Sequence, residues 1–204
     1  VVVTGGGTGL GKAIGTEFAR LGATVVVASR DPEHREKGVK AMNEAGGTGF
    51  GIAVDVRDPE AIKSAFDEIE KNCGPIDVLV NNAAGNFPVL AEKMSPNAWR
   101  SVTDIVLDGT FFCSTELARR CIESGREASI LNIGATYSWT GGPGTAHSAA
   151  AKAGVTNMTM SLAVEWAPHG IRVNCLAPGL FPHDDLPSVL LSLIHISEPT
   201  RRYA

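Results

Sequence analysis

Apolar, β-branched runs alternate with longer stretches of helical period along most of the chain. The opening VVVTG reads as a strand, residues 10–21 as a helix, and ATVVVAS as a second strand. A charged helical segment follows over 32–45, then a third strand in GFGIAVDV. Residues 58–72 place Ile62, Phe66 and Ile69 on one face of a helix, and IDVLVNNA reads as the fourth strand. A long helix is predicted over roughly 97–123, interrupted near Asp108 and Gly109. ASILNIGA, a helix over 145–167 and the strand IRVNCLAPG complete the pattern. Six strands, each apolar on both faces and joined by helical crossovers, predict a doubly wound parallel α/β sheet with helices on both faces.

In such sheets ligands bind beyond the carboxyl ends of the strands, where strand order reverses. The informative residues should therefore follow the strands. After the first strand comes TGGGTGLGKA, with Gly5, Gly9 and Gly11 in the pattern T-G-x-x-x-G-x-G. Glycines let the backbone turn tightly against a pyrophosphate, whose charge then sits on the helix N-terminus. The whole turn, Gly5, Gly6, Gly7, Thr8, Gly9 and Leu10, is expected to cradle a dinucleotide in a Rossmann-type fold. The second strand ends in Ser29 and Arg30 rather than in a carboxylate. The planar guanidinium of Arg30 suits a ribose 2′-phosphate, which favours NADP(H) over NAD; nearby Asp31 keeps the NAD alternative open. Asp55 is placed to accept from the adenine amino group, Asn82 and Ala83 to let the backbone pass the cofactor, and Pro178, Gly179 and Leu180 to meet the nicotinamide amide.

These residues resemble the short-chain dehydrogenase/reductase family, and the likeness covers residues 1 to about 186. The usual catalyst of that family is an Asn, a Ser, a Tyr and a Lys. Here Lys152 remains, but the three other positions hold Val106, Ala135 and Ser148. TGGGTGLGK, DVRDP, NNAAGNF, SPNAWRSVTDIVLDGT and SAAAKAGV together look like the NADPH-dependent 2,4-dienoyl-CoA reductase branch. The branch places its tyrosine fifteen residues before the lysine, which is Tyr137 here. The resemblance implies that Tyr137 donates to the thioester oxygen, that Ser148 supports it, and that Lys152 holds the nicotinamide ribose. It places Asp108 where the branch has an Asn, and it assigns Arg30 and Phe87 to the acyl-CoA substrate. A carboxylate cannot donate a hydrogen bond, so in that catalytic place Asp108 acts either as an acid kept protonated in an apolar pocket or as a partner of Lys152 or water, and it is read equally as a residue of the helix interruption. His147 reads as a helix-start residue near the cofactor, and Trp139 with the GGPG turn as a substrate-facing loop.

A length of 204 residues fits one domain, read here as residues 1–190. The tail LSLIHISEPTR resembles translated sequencing-library adapter, so residues 191–204 are read as non-native, and the family's final strand is expected to be missing. The net charge of -4 gives no reason to expect nucleic acid, and no apolar run approaches membrane-spanning length. Four cysteines without metal-ligand spacing read as buried free thiols, with no metal. The family resemblance implies a homotetramer, in the cytoplasm or, in a eukaryote, a mitochondrial or peroxisomal matrix. Two alternatives stand beside the dienoyl-CoA reading: a trans-2-enoyl-CoA or other reductase of the family, and a non-catalytic NADP-binding scaffold.

Overall fold

The structure, a computed structural model, describes residues 1–179 and Phe181. Leu180, expected at the nicotinamide, and the segment from 191 expected to be a non-native tail lie outside the described residues. Six strands are present there: β1 (Val2–Thr4), β2 (Thr24–Ala28), β3 (Thr48–Ile52), β4 (Val78–Asn81), β5 (Ala128–Ile133) and β6 (Ile171–Leu176). They pair in parallel throughout, in the order β3-β2-β1-β4-β5-β6. The chain starts at the sheet centre, builds outward to β3, then crosses back to β4. The reversal between β1 and β4 opens the crevice in which ligands of such sheets bind.

Alternate residues of the central strands feed separate cores. Val2, Val26 and Leu79 pack with Ile62, Phe66 and Leu117 on one face, while Val3, Val27 and Val80 pack with Met42 on the other. Burial on both faces is what the unbroken valine runs predict. The outer strands of the described sheet depart from that expectation. Arg172 and Asn174 of β6 are exposed, as are Thr48 and Gly51 of β3, because each strand has a paired neighbour on one side only. The cysteines divide likewise. Cys113 and Cys121 are buried, but Cys73 at a helix end and Cys175 on β6 are only half-buried.

The helices are α1 (Gly9–Arg20), α2 (Pro32–Glu44), α3 (Pro59–Cys73), α4 (Pro96–Thr103), α5 (Gly109–Ser124), α6 (Tyr137–Thr140) and α7 (Ala146–Trp166). Three of them start the same way, with an Asp or Ser cap followed by Pro in the first turn. Asp31 accepts from the Glu33 and His34 N–H groups, Asp58 from Glu60 and Ala61, and Ser95 from Ala98. No helix among the described residues is long and apolar enough to cross a membrane.

The predicted interruption of the long helix is a π-turn over Asp104–Asp108 between α4 and α5. One wide turn shifts the residues after it around the helix axis, a device found often at functional sites. Two glycine contacts seat the segment. Leu107 Cδ1 lies 3.0 Å from where a Cβ on Gly154 of α7 would be. A Cβ on Gly109 would meet Val56 Cγ2 at 2.7 Å. The third strand stops at Ile52 rather than running to residue 56, and Val54 and Val56 are buried in the core without strand pairing. Gly109→Ala is expected to lower unfolding free energy by about 1–3 kcal/mol, the usual cost of overpacking. The shift in denaturant midpoint measures it.

Candidate active site

Gly5 and Gly9 turn the chain after β1 with φ of +64° and +48°, a region favouring glycine. α1 then starts with no side-chain cap from Thr8 and no acidic residue in its first turn. Its leading amides therefore face the crevice with the positive end of the helix dipole, a fit for a pyrophosphate. Asn82, the residue after β4, acts on this turn. Its Nδ2 donates to the carbonyls of Thr4 and Gly5, both at 3.1 Å, so it holds the cradle rather than offering these protons to a ligand. Thr4 Oγ1 accepts from the N–H groups of Asn82 and Ala83, each at 3.0 Å.

Beside the turn lies an open groove lined by Gly5, Ser29, Arg30, Asp55, Ala83 and Ile105, which joins the residues expected to meet the adenosine half. Arg30 has a 57% exposed side chain, open to a phosphate from the solvent side while its Nη1 stays 3.4 Å from Asp55. Arg35 braces the turn that presents it, donating to the carbonyls of Ser29 and Arg30 at 2.8 Å. Asp31, the residue that kept an NAD-type site open, is engaged as the cap of α2. Asp55 is less available than its position suggests. Arg57 grips both carboxylate oxygens, with its Nη2 at 2.6 Å, and Arg30 approaches Oδ2 at 3.4 Å. Hydrogen bonds from Arg57 hold the Asp55 carboxyl down to about 2. For Asp55 to accept an adenine amino group, this fork has to share an oxygen. Arg57 was not singled out from the sequence; the alternating charges of DVRD are the signal that could have found it.

Near the middle of the crevice the relocated tyrosine meets its partner. α6 is a single turn directly after β5, and it brings Tyr137 Oη to 3.0 Å from Ser148 Oγ. Ser148 is buried in the first turn of α7. Lys152, one helical turn further along the same face, is 6% exposed, and its Nζ donates to the Ile133 carbonyl at the end of β5. Burial pulls the Lys152 ammonium down to about 8, against a small opposing effect of Cys175. A buried ladder fixes α7 against the sheet. Asn81 Nδ2 donates to Ser114 Oγ (2.8 Å) and Asn132 Oδ1 (2.9 Å), and Asn132 Nδ2 donates to Thr159 Oγ1 (2.9 Å). Each asparagine stands at the end of an apolar run, Asn81 after Val78–Val80 and Asn132 after Ile130–Leu131, which is the sequence signal for this ladder.

The remaining expected residues fall unevenly. Asp108 ends the π-turn, is exposed, and bonds no side chain among the described residues. No hydrogen bond or ion pair joins it to Lys152 among the described residues, and that ammonium bonds the Ile133 carbonyl instead. The apolar enclosure a donating carboxylic acid requires is not formed around Asp108 by the described residues. Phe87 is 38% exposed and lies edge-to-face against His147, with ring centroids 4.9 Å apart. Trp139 is exposed next to the glycine turn, as expected of a loop, although α6 makes its backbone helical. Trp166 is a core residue, whereas Trp99 is exposed. Pro178 and Gly179 follow β6 without regular structure. No cluster of metal ligands occurs among the described residues.

Comparison with known proteins adds three kinds of finding. The profile of a family described as short chain dehydrogenase matches residues 1–185. An uncharacterized oxidoreductase of Caenorhabditis elegans is 51% identical over 183 residues, covering 89% of this chain and 58% of that protein. A probable 2,4-dienoyl-CoA reductase of Bacillus subtilis, (2E)-enoyl-CoA-producing, is 47% identical over 88% of this chain and 71% of its own length. The crystal structure of a short chain dehydrogenase from Bacillus anthracis superposes with a TM-score of 0.84 at 47% identity, covering 87% of this chain and 74% of that one. The chain thus spans about 60% of the length of several of its curated relatives.

Proposed function

The chain belongs to the short-chain dehydrogenase family, and on that premise we propose that it belongs to an NADPH-dependent reductase of 2,4-dienoyl-CoA thioesters. The observation that carries the reading is the 3.0 Å contact between Tyr137 and Ser148, one turn before Lys152. Three of the four usual catalytic positions are vacant, yet a phenol sits beside the serine that occupies the usual tyrosine position. Relatives named as 2,4-dienoyl-CoA reductases, at 47–48% identity, support the same substrate class.

When bound, NADPH supplies the hydride. Tyr137 donates a hydrogen bond to the thioester oxygen, where negative charge develops as the conjugated system becomes a dienolate. Ser148 holds the phenol in line for that bond. Lys152, as an ammonium, binds the nicotinamide ribose and favours the polarised phenol electrostatically. Asp108, exposed at the end of the π-turn, is assigned to a water rather than to the thioester oxygen, and a proton from water completes the reduction at carbon. Arg30 takes the 2′-phosphate and also borders the acyl-CoA, and Phe87 lines the acyl path. Exposed apolar side chains on α5 and α7, among them Phe111, Met160 and Val164, support an interface between copies, and the homotetramer rests on the family resemblance.

NADPH oxidation with a 2,4-dienoyl-CoA, a 2-enoyl-CoA and a simple ketone tests the reading. Turnover of the dienoyl thioester well above the other two is expected. Turnover of ketones alone overturns it, and cofactor binding without oxidation on any acyl-CoA points to a scaffold. Arg30→Ala is expected to weaken NADPH binding about 10–100-fold, the range for losing charged hydrogen bonds, while leaving NADH affinity unchanged. Titration of both nucleotides measures the ratio.

A further inference from the structure

α7 begins without an ordinary cap. Thr145 occupies the cap position, but its hydroxyl turns back to the Gly142 carbonyl at 2.8 Å and caps no helix amide. Instead, Nδ1 of His147 accepts from the Ser148 N–H at 2.8 Å. An imidazole that accepts through Nδ1 carries its proton on Nε2 when neutral. That Nε2–H is buried and meets no acceptor among the described residues, and the residue as a whole is 0% exposed. An unpaired buried donor is costly, so the ring sits there against a penalty that an aliphatic side chain would not carry. The ring also packs edge-to-face on Phe87, with centroids 4.9 Å apart and planes at 86°. The segment bearing Phe87 is pinned beside the start of α7, because the Val89 N–H donates to the Gly144 carbonyl at 3.0 Å. One imidazole therefore touches the amide of the serine that bonds Tyr137 and the aromatic ring that borders the acyl path.

We propose that His147 is a positioning residue: its Nδ1 sets the Ser148–Tyr137 hydroxyl pair, its ring sets Phe87, and so one side chain keeps the proton donor and the acyl wall in register. The proposal rests on the roles assigned above to Tyr137 and Phe87. It is not a direct substrate contact, because Nε2 lies beneath the surface.

Two substitutions separate the two contacts. His147→Asn keeps an acceptor near the position of Nδ1 and removes the ring. His147→Phe keeps a ring against Phe87 and removes the acceptor. With NADPH and a 2,4-dienoyl-CoA, His147→Asn is expected to raise the thioester KM about fivefold or more, with kcat reduced by less than about threefold. His147→Phe is expected to lower kcat by about tenfold or more, with KM within about twofold. NADPH affinity, measured alongside, reports that each variant is folded. Phe87→Leu, on an exposed segment, should reproduce the KM effect and tests that half of the proposal if a His147 variant fails to fold. Equal changes in both constants for both variants, or no change in either, overturn the proposal. Tyr137→Phe belongs in the same series. If it retains turnover, the donor assignment fails and the His147 role falls with it. If it loses turnover while His147→Phe keeps it, only the His147 role falls.

Discussion

Replacing Lys152 with Met is expected to cut turnover of a 2,4-dienoyl-CoA by about 10²–10³, the range for losing a preorganised electrostatic partner of the transition state. The same change is expected to leave the protein at least as stable. Lys152 is buried, with one hydrogen bond to the Ile133 carbonyl, and burial lowers its ammonium from an ordinary 10.5 to about 8. A charge held there opposes folding, and a thioether of similar length removes that opposition. The pH dependence follows with a definite sign. Because the folded value lies below the unfolded one, the unfolded chain holds more protons between about pH 8 and 10.5. Stability of the parent therefore gains a contribution that rises with pH across that window, and the Met variant lacks it. Activity runs the other way. The ammonium is the working form, so kcat/KM should fall above about pH 8 as the free enzyme loses this proton. Thermal unfolding and a pH–rate profile of the two proteins measure both effects.

Tyr137→Phe is expected to lose about 10²–10³ in kcat with NADPH affinity retained. The phenyl ring can occupy the same turn of α6, but the hydroxyl that bonds Ser148 at 3.0 Å is gone, and with it the donor aimed at the developing oxyanion. The remaining serine does not replace it, because its hydroxyl is buried beneath the tyrosine in the first turn of α7. A fall in kcat with little change in KM is the signature of an interaction made mainly in the transition state.

The fold was legible because its central strands are valine runs and its helices carry their caps in sequence, as in the Asp31-Pro32 and Asp58-Pro59 pairs. The strand order follows from no periodicity; it comes from the fold class, and β1 at the centre agrees with it. Less was legible at the site. A single turn such as α6 is shorter than any window in which a helical period can be counted, so Trp139 read as part of a loop and Tyr137 was located only by the family resemblance. The π-turn at Asp104–Asp108 showed only as an interruption, since one wide turn leaves the apolar pattern on either side almost intact. His147 gave no sign of its contact with Phe87, which lies far away in sequence, and its local bond to the Ser148 N–H is a side-chain orientation that no periodicity reports. The grip of Arg57 on Asp55 was missed for a different reason: the pairing is local, but charged residues in a post-strand loop usually face solvent.

The account turns on where the proton-donating hydroxyl resides, and one comparison addresses that directly. NADPH oxidation with a saturating 2,4-dienoyl-CoA is measured for the parent, Tyr137→Phe and Ser148→Ala, with NADPH affinity measured for each. The account predicts that the tyrosine change abolishes nearly all turnover, that the serine change retains a larger share, and that both variants still bind the nucleotide. Loss of turnover on the serine change with the tyrosine variant still active would contradict it.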